Sequence, residues 1–249
     1  MSEKKVVILK IKRQEGLNAK PHWEEFHIPY RPYLNVMICL QEVRKNPKTF
    51  DGRVTTPVSW DSSCLEEICG ICTMVINGKV RQACSALIEH VGTNVTLEPM
   101  KKFPVVRDLM VDRSSLFESL KRVKAWVPID GTHNLGPGPR VMPEDQQENY
   151  VLSRCFSCGS CLEVCPQIND RSGFIGAMAI NQVALFNHQP LGKAIAHQRL
   201  QALMAPGGIE DCGNAQNCVK ACPKNIPLVT SIVKVNREIT QNMFGLLKQ

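Results

Sequence analysis

The segment at residues 155–166 reads Cys-Phe-Ser-Cys-Gly-Ser-Cys-Leu-Glu-Val-Cys-Pro, which places four cysteines at the spacing C-x2-C-x2-C-x3-C. The N-terminus has only a four-residue apolar patch before Lys10, too short for the core of a signal peptide. A reducing compartment is therefore expected, where grouped cysteines are more often metal ligands than disulfide partners. Thiolates at this spacing hold iron–sulfur clusters. The segment, called the middle run below, therefore predicts such a cluster.

The pattern recurs at residues 212–223, the last run, but with one cysteine missing. Cysteines stand at the first, third and fourth positions, Pro223 follows, and the second position is Ala215. In two-cluster bacterial ferredoxins, the fourth cysteine of each run binds the cluster of the other run. The two predicted ligand sets are therefore Cys155, Cys158, Cys161 and Cys222 for one cluster, and Cys165, Cys212 and Cys218 for the other.

The absence of a thiol at Ala215 determines the predicted cluster types. Four cysteines predict a [4Fe–4S] cluster, whereas three predict a [3Fe–4S] cluster beside it. A [4Fe–4S] cluster with water or substrate at its open iron would have the same three ligands and would imply catalysis there. Counting ligands does not separate these two alternatives.

A different pattern in the first half of the chain predicts a third cluster. Cys64, Cys69, Cys72 and Cys84 have the plant-type ferredoxin spacing for a [2Fe–2S] cluster. A predicted hairpin, turning at residues 77–78, brings the fourth cysteine back beside the others. The alternative is a zinc site with four cysteines, although zinc ribbons usually show two CxxC pairs.

Composition and charge narrow the class of protein. Apolar content of 43% and charged content of 21% over 249 residues predict a folded globular protein. The formal charge of +7 comes from scattered residues without a block of five like charges. This predicts a solvated surface, or one basic face for an acidic partner, rather than nucleic-acid binding. The chain has no run of 18 apolar residues, so we expect no membrane-spanning helix.

Hydrophobic periodicity predicts an α+β protein. The first domain, residues 1–105, is expected to be β-rich, and the second, residues 106–249, helical. Predicted strands cover residues 6–12, 22–28 and 95–97, with a hairpin at 73–80. Predicted helices cover residues 34–44, 106–126 and 226–247, with a loop at 128–143. Cys39, the cysteine outside the three groups, is expected to be a buried apolar residue of the helix at 34–44.

Taken together, these residues resemble the iron–sulfur subunit of succinate dehydrogenase and fumarate reductase, over nearly the whole length. The strongest stretches are residues 56–61, 64–84, 104–109, 124–131, 136–140, 153–166 and 211–223. The resemblance implies an N-terminal β-grasp domain of the plant-type ferredoxin kind. It also implies a C-terminal all-α domain of the bacterial-ferredoxin kind.

The resemblance also implies a function. The [2Fe–2S] centre would face an FAD-containing flavoprotein subunit, and the [3Fe–4S] centre would face a membrane anchor and a quinone. Electrons would pass one at a time between FAD and quinone in the respiratory chain and tricarboxylic acid cycle. The subunit would have no catalytic residue or dicarboxylate site of its own and would lie on the cytoplasmic face of the cell membrane. A quinol:fumarate reductase working in the reverse direction is the alternative.

Two neighbourhoods depart from the ubiquinone-reducing members of the family. Those members carry a Trp shortly after the proline of the middle run and a His just after the first cysteine of the last run. This chain has residues 167–170, Gln-Ile-Asn-Asp, and residues 213–214, Gly-Asn, at these places. The difference predicts menaquinone and a single-chain cytochrome b anchor with two haem b groups. Thiol-linked fumarate reductases and anaerobic glycerol-3-phosphate dehydrogenases are further alternatives, but they carry additional cysteine-rich repeats.

Overall fold

A computed structural model of the chain describes residues 5–128 and 139–245. The strands of this part are β1 (Val6–Arg13), β2 (His22–Pro29), β3 (Thr73–Ile76), β4 (Lys79–Gln82), β5 (Asn94–Glu98), β6 (Val105–Arg107) and β7 (Met110–Val111). Its α-helices are α1 (Val36–Lys45), α2 (Ile88–Val91), α3 (Ser114–Arg122), α4 (Pro143–Ser153), α5 (Ser160–Glu163), α6 (Gly176–His188), α7 (Ala196–Met204), α8 (Asn217–Ala221) and α9 (Leu228–Met243). Short 3₁₀ helices cover Gly192–Ile195 and Ile209–Asp211. The α+β prediction is confirmed.

Packing divides the chain into two compact units. The first unit comprises Met1–Arg113 together with Cys158–Glu163, and the second comprises Ser114–Ser157 and Val164–Gln249. The middle run therefore contributes residues to both units. The domain limits predicted from the sequence, residues 1–105 and 106–249, stay a prediction.

The first unit is built on a five-stranded mixed sheet. Its strand order is β2-β1-β5-β3-β4, in which β1 and β5 are parallel and the other neighbours antiparallel. Val7, Leu9 and Ile11 of β1 are fully buried, because alternate side chains of a strand point to the same face. Helix α1 packs into the same core through Val36, Met37, Cys39, Leu40 and Val43. A mixed sheet packed against one helix is the β-grasp arrangement that the resemblance implies.

Local sequence signals account for several of these elements. Helix α1 begins after Asn35, whose side-chain oxygen accepts the Ile38 N–H at 2.8 Å and caps the first turn. The β3–β4 hairpin turns at Asn77 and Gly78, with φ angles of 50° and 73°. An Asn-Gly pair favours these left-handed conformations. The predictions of the helix at 34–44 and of the hairpin at 73–80 are confirmed.

The predicted helix at 106–126 is wrong in its first part, where β6 and β7 form a hairpin and α3 begins only at Ser114. Asp108, at the turn, has φ of 48° and a fully buried carboxylate. That carboxylate accepts hydrogen bonds from Arg13 Nε and from the Ser59 N–H, both at 2.9 Å. Arg13 also pairs with buried Glu24. These long-range contacts hold the segment as a hairpin despite its helical periodicity, since an unpaired buried carboxylate would be costly.

The second unit is helical, and its core is α6. Nearly every residue of α6 is buried, and its polar Asn181 is satisfied by α4 and α9. Asn181 Nδ2 donates to the Leu152 carbonyl at 3.2 Å, and the Ser231 hydroxyl donates to Asn181 Oδ1 at 3.2 Å. These bonds offset the cost of burying an amide in an apolar helix.

The structure also limits two other predictions. The final helix, predicted over residues 226–247, is observed as α9; Val235 and Ile239 face inward as predicted, but Val233 is 62% exposed. Most of the predicted loop at 128–143 and part of the resembling stretch at 136–140 lie outside the described residues. In the part of the chain that the structure describes, no helix is both long and apolar enough to cross a membrane.

Candidate iron–sulfur centres

Residues 64–72, called the first loop, curl around the sulfur of Cys64, a predicted ligand. Leu65 and Glu67 have left-handed backbones, with φ of 62° and 55°, which ordinary side chains disfavour. The curl directs three N–H groups at the sulfur of Cys64, from Glu66 at 3.4 Å and from Ile68 and Cys69 at 3.3 Å each. Successive N–H groups in such a curled backbone create a concavity that binds negative charge.

The chemistry of Cys64 reflects this arrangement. The hydrogen bonds from the Glu66, Ile68 and Cys69 amides lower the pKa of its thiol to about 7, because they stabilise the thiolate. The thiolate is the form that binds metal. The loop therefore favours the form of Cys64 that its predicted ligand role requires.

The remaining two cysteines of the first group come from the sheet. Cys72 precedes β3 and Cys84 follows β4, so the hairpin brings their sulfurs to 3.5 Å. The Glu67 N–H donates to Cys84 Sγ at 3.3 Å and connects the first loop to the hairpin. Burial, followed by the hydrogen bond with Cys72, raises the pKa of the Cys84 thiol to about 11. The structure thus brings Cys64, Cys72 and Cys84 to one place, joined through backbone amides of the loop.

Arg113, two residues after the end of β7, is a functional candidate that the sequence analysis did not identify. Its guanidinium donates to the carbonyls of Ile71 at 2.8 Å, Cys158 at 3.0 Å and Thr73 at 3.2 Å. All of these acceptors are carbonyls of predicted ligands or of residues next to them. No local sequence signal marks Arg113, because its partners are main-chain atoms at least 40 positions away.

The part of the middle run that belongs to the first unit is held by several contacts. The carboxylate of Glu163 accepts the N–H groups of Lys101 at 2.9 Å and Lys102 at 3.0 Å. Gly159 has φ of 85°, and a Cβ there would lie 3.0 Å from the ring of Phe103. The segment that carries Cys158 and Cys161 is therefore held in a fixed position on the first unit. Because the predicted set Cys155, Cys158, Cys161 and Cys222 includes residues of both units, it stays a prediction.

In the second unit, the structure brings together the three cysteines that are predicted to hold the last cluster. Cys165, Cys212 and Cys218 line one cavity, and Ala215 is part of the same lining. Burial raises the pKa of Cys218, and the neighbouring charges of Cys165 and Cys212 raise it further. Like charges this close must be neutralised if all three thiols are to ionise, which a positively charged metal group would do.

The neighbourhood of this cavity includes the two places at which the chain departs from ubiquinone-reducing proteins. Gly213 lies against the amide of Gln167, which occupies the space that a Cβ at position 213 would need. The two departures are therefore spatially linked: a larger residue at 213 requires Gln167 to move.

The middle and last runs share a backbone conformation as well as a cysteine pattern. Left-handed residues flank Cys158 on both sides, at Ser157 and Gly159, with φ of 52° and 85°. Counterparts 57 positions later, Asn214 and Gln216, have φ of 51° and 60° and flank Ala215 in the same way.

A hydrogen bond repeats at the same interval. The Ile168 N–H donates to the Cys165 carbonyl at 3.2 Å, and the Asn225 N–H donates to the Cys222 carbonyl at 3.1 Å. The last run therefore has the same local conformation as the middle run around Ala215, the position at which it lacks the thiol.

Cys39 behaves differently from the grouped cysteines. It is fully buried in the core beneath α1, as predicted, and burial raises the pKa of its thiol to about 11. Among residues 5–128 and 139–245, no three His, Cys, Asp or Glu side chains form a site for a single metal ion. The donor chemistry of the three groups, thiols with backbone amides aimed at sulfur in the first loop, fits iron–sulfur clusters.

Two protein families match this chain. Residues 8–118 match the family described as 2Fe-2S iron-sulfur cluster binding domain, which covers the first loop and the hairpin. Residues 151–226 match the family described as 4Fe-4S dicluster domain, which covers the middle and last runs. The families support two separate cluster-binding regions.

Several curated proteins resemble the chain over nearly all of its length. The succinate dehydrogenase iron-sulfur subunit of Bacillus subtilis is 55% identical over 249 residues, covering 98% of both proteins. The fumarate reductase iron-sulfur subunit of Wolinella succinogenes is 31% identical, covering 89% of this chain and 91% of that protein. A solved chain of the Mycobacterium smegmatis Sdh1 complex superposes with a TM-score of 0.77 at 20% identity, covering 97% and 98% of the two chains. This last likeness shows the shared fold.

Proposed function

This chain belongs to the family of succinate dehydrogenase and fumarate reductase iron–sulfur subunits, and on that basis we propose how its cysteines hold the clusters that carry electrons. Its function is that of the electron-transfer subunit of an oxidoreductase complex with succinate dehydrogenase activity. The proposal concerns the individual centres, their ligands, the order of transfer and the partners.

We assign three centres to three ligand sets. The sets are Cys64, Cys69, Cys72 and Cys84 for [2Fe–2S]; Cys155, Cys158, Cys161 and Cys222 for [4Fe–4S]; and Cys165, Cys212 and Cys218 for [3Fe–4S]. Bound clusters supply one-electron redox steps that no amino-acid side chain here can provide. The residues of the chain hold the sulfurs, direct N–H groups at them and limit the access of water, which together tune the potentials.

One observation carries this assignment: the last run keeps the left-handed flanks of the middle run around Ala215 but has a methyl group in place of the thiol. Because the conformation matches but the fourth thiol is missing, we infer that the two runs hold different clusters, one [4Fe–4S] and one [3Fe–4S]. The alternative, a catalytic [4Fe–4S] cluster with an open iron, needs a substrate-binding group beside it. Among the residues that the structure describes, the lining of this cavity offers the amides of Gln167, Asn214, Gln216 and Asn217 but no carboxylate, histidine, lysine or arginine.

The proposed partners follow from the family. A flavoprotein subunit with FAD would exchange electrons with the [2Fe–2S] centre, and a cytochrome b anchor with haem b would bind the quinone near the [3Fe–4S] centre. The subunit would then lie peripherally on the cytoplasmic face of the membrane. Residues 167–170 and 213–214 support menaquinone, because the Trp and the His that ubiquinone-reducing members carry in these two neighbourhoods are absent from this chain. The similarity to a fumarate reductase subunit keeps the reverse direction as the second candidate.

Purification of the intact membrane complex through a tag on this chain tests the proposal. We expect an FAD-containing subunit and a haem b subunit to co-purify, with extractable menaquinone. The isolated chain should not oxidise succinate. A preparation with bound ubiquinone and no haem b would contradict the proposed anchor and quinone.

A variant of the last run tests the order of transfer. In Cys218→Ser, succinate should still reduce an artificial acceptor at the flavin, whereas menaquinone reduction should fall at least tenfold. Cys39→Ala, which changes a cysteine outside the ligand sets, should match the unmodified complex in both assays. Full menaquinone reduction by Cys218→Ser with its last centre missing would contradict the proposed route.

A further inference from the structure

We propose that Arg113 is a positioning residue that joins the ligand segments of the first and second centres and raises the reduction potential of both. The proposal rests on the ligand sets assigned above and goes beyond them, because Arg113 is not a ligand. Each of its contacts lies within the first unit.

The hydrogen bonds of Arg113 reach both ligand segments at once. Nη2 donates to the carbonyls of Ile71 at 2.8 Å and Thr73 at 3.2 Å, the two neighbours of Cys72. Nη1 donates to the carbonyl of Cys158 at 3.0 Å and lies 3.5 Å from that of Gly70. A single planar group therefore connects the end of the first loop to a cysteine of the middle run. Because a guanidinium presents its donors in a rigid fork, one side chain can hold several carbonyls in a fixed relation.

The charge of Arg113 is placed where it influences both centres. Burial lowers the pKa of the partly buried Arg113 guanidinium, whereas the nearby charges of Asp61, Cys158, Cys72 and Cys69 raise it. By reciprocity, the same cation favours negative charge at those sulfurs. Arginine remains protonated in proteins, so this field is permanent. Since net charge around a cluster sets its potential, a fixed cation should make the addition of an electron easier at both centres.

The unpaired part of the side chain is consistent with this role. Arg113 Nε is buried and has no hydrogen-bond partner within the described part of the chain. Buried N–H groups usually have partners, so an unpaired one beside ligand segments indicates a donor for a group bound there. A sulfur of the first centre is an acceptor of suitable chemistry.

The middle run does not depend on Arg113 alone for its position. Glu163 accepts two main-chain N–H groups, from Lys101 and Lys102, and Gly159 packs against Phe103. Removing the guanidinium should therefore leave the segment attached, which makes the change measurable in a folded protein.

The experiment is a potentiometric titration, followed by low-temperature EPR, of the purified complex with Arg113→Met or Arg113→Lys. Met removes the charge and the fork while keeping the length of the side chain; Lys keeps the charge but loses the fork. Arg199→Lys is the matched control. Arg199 is fully buried and donates to the carbonyls of Lys124, Trp126 and Gly192, which lie outside the ligand runs.

For Arg113→Met we expect the equilibrium constant for one-electron reduction to fall about tenfold at the first and second centres. Each of these reduction potentials then falls by about 59 mV, and the potential of the third centre stays unchanged. Arg113→Lys should retain most of both potentials while broadening the two signals. Arg199→Lys should shift none of the three. If Arg113→Met fails to load the first two centres but keeps the third, the positioning role is supported directly, and Arg113→Lys then reports the potentials.

Three results would overturn the proposal: unchanged potentials at both centres in Arg113→Met, an equal shift at all three centres, or loss of all three. Failure of the underlying assignment is distinguishable. It would appear as the absence of three distinct signals in the unmodified complex, before any variant is compared.

Discussion

The middle and last runs share a local backbone conformation around one position, which is Cys158 in the middle run and Ala215 in the last run. Left-handed residues flank Cys158 in the middle run and Ala215 in the last run, and the bond from the third residue after the fourth cysteine recurs in both. At this position the runs differ by the presence of a thiol, whereas the flanking left-handed residues recur in both. Under the proposed assignment, this one side chain would set the type of cluster while the flanking backbone keeps its conformation.

The first group of cysteines is a control for the comparison of the middle and last runs, because its cysteines belong to neither run. We expect Cys84→Ser to abolish or strongly alter the EPR signal of the first centre alone, since the hairpin and the two runs are separate ligand sources. Cys39→Ser should leave all three signals unchanged. If Cys84→Ser removed all three signals, the groups would not be independent cluster sites.

Replacing the middle-run thiol by the methyl group that the last run has at the same position should give the next largest effect on the EPR signals. In Cys158→Ala, the middle run acquires the methyl group that the last run has at Ala215, and the set assigned to the second centre is left with three thiolates. We expect this centre to lose one iron and to show a [3Fe–4S]-type signal in the oxidised protein. An unaltered second centre in the loaded variant would mean that Cys158 is not a ligand.

The reverse change restores the thiol in the last run. The left-handed flanks Asn214 and Gln216 already have the conformation that surrounds Cys158, so Ala215→Cys requires little rearrangement. We expect a fourth iron to bind and the potential of the last centre to fall, because an added thiolate adds negative charge. EPR titration measures both. An unchanged [3Fe–4S] signal in a well-folded variant would count against the alignment of the two runs.

The runs also differ in how tightly their left-handed residues are packed. Gly159 lies against Phe103, whereas its counterpart Gln216 carries a full side chain at a similar φ. We expect Gly159→Ala to lower the free energy of unfolding by about 2–3 kcal/mol, from the left-handed backbone and the 3.0 Å contact together.

Gly52→Ala is the control for that change, because Gly52 has a similar φ of 88° but its nearest neighbour, Lys48 Cε, is at 3.6 Å. Gly52→Ala should lower the free energy of unfolding by about 1 kcal/mol, in the range expected for a left-handed backbone alone. Urea unfolding of the purified proteins gives both values. Equal effects would show that Phe103 does not restrict the middle run.

The smallest expected effect concerns the cysteine outside the comparison. The pKa of the Cys39 thiol is raised to about 11 by burial, so the thiol is neutral below that pH and reactive only when deprotonated above it. Iodoacetamide should therefore leave Cys39 unmodified between pH 7 and 9, as mass spectrometry of the native complex can show. The exposed thiol introduced by Lys79→Cys should be labelled readily as the pH of the solution rises. Rapid labelling of Cys39 at pH 8 would contradict its burial.

The cysteine spacing allowed most of the candidate sites to be predicted, since ligand type and separation are local properties of a sequence. The hairpin that carries Cys84 was equally predictable, because Asn77-Gly78 requires a tight turn. Leu65 and Glu67 were not: nothing in their residue types favours a left-handed backbone, and they adopt it in a loop whose amides converge on Cys64.

Long-range contacts account for what the sequence did not reveal. Residues 106–112 have helical periodicity but form a hairpin, because Asp108 is bound by Arg13 from 95 positions away. Arg113 is similar, since it recognises main-chain carbonyls and leaves no side-chain pattern to detect. Both residues are charged groups whose partners become apparent only in the folded chain.

The most direct test of the central claim is low-temperature EPR, with iron and sulfide quantification, on the unmodified complex purified without oxygen damage. We predict a [3Fe–4S] signal in the oxidised protein, and one [2Fe–2S] and one [4Fe–4S] signal after reduction, in equal amounts. Two [4Fe–4S] centres with no [3Fe–4S] signal, or zinc in place of iron, would contradict the role assigned to Ala215.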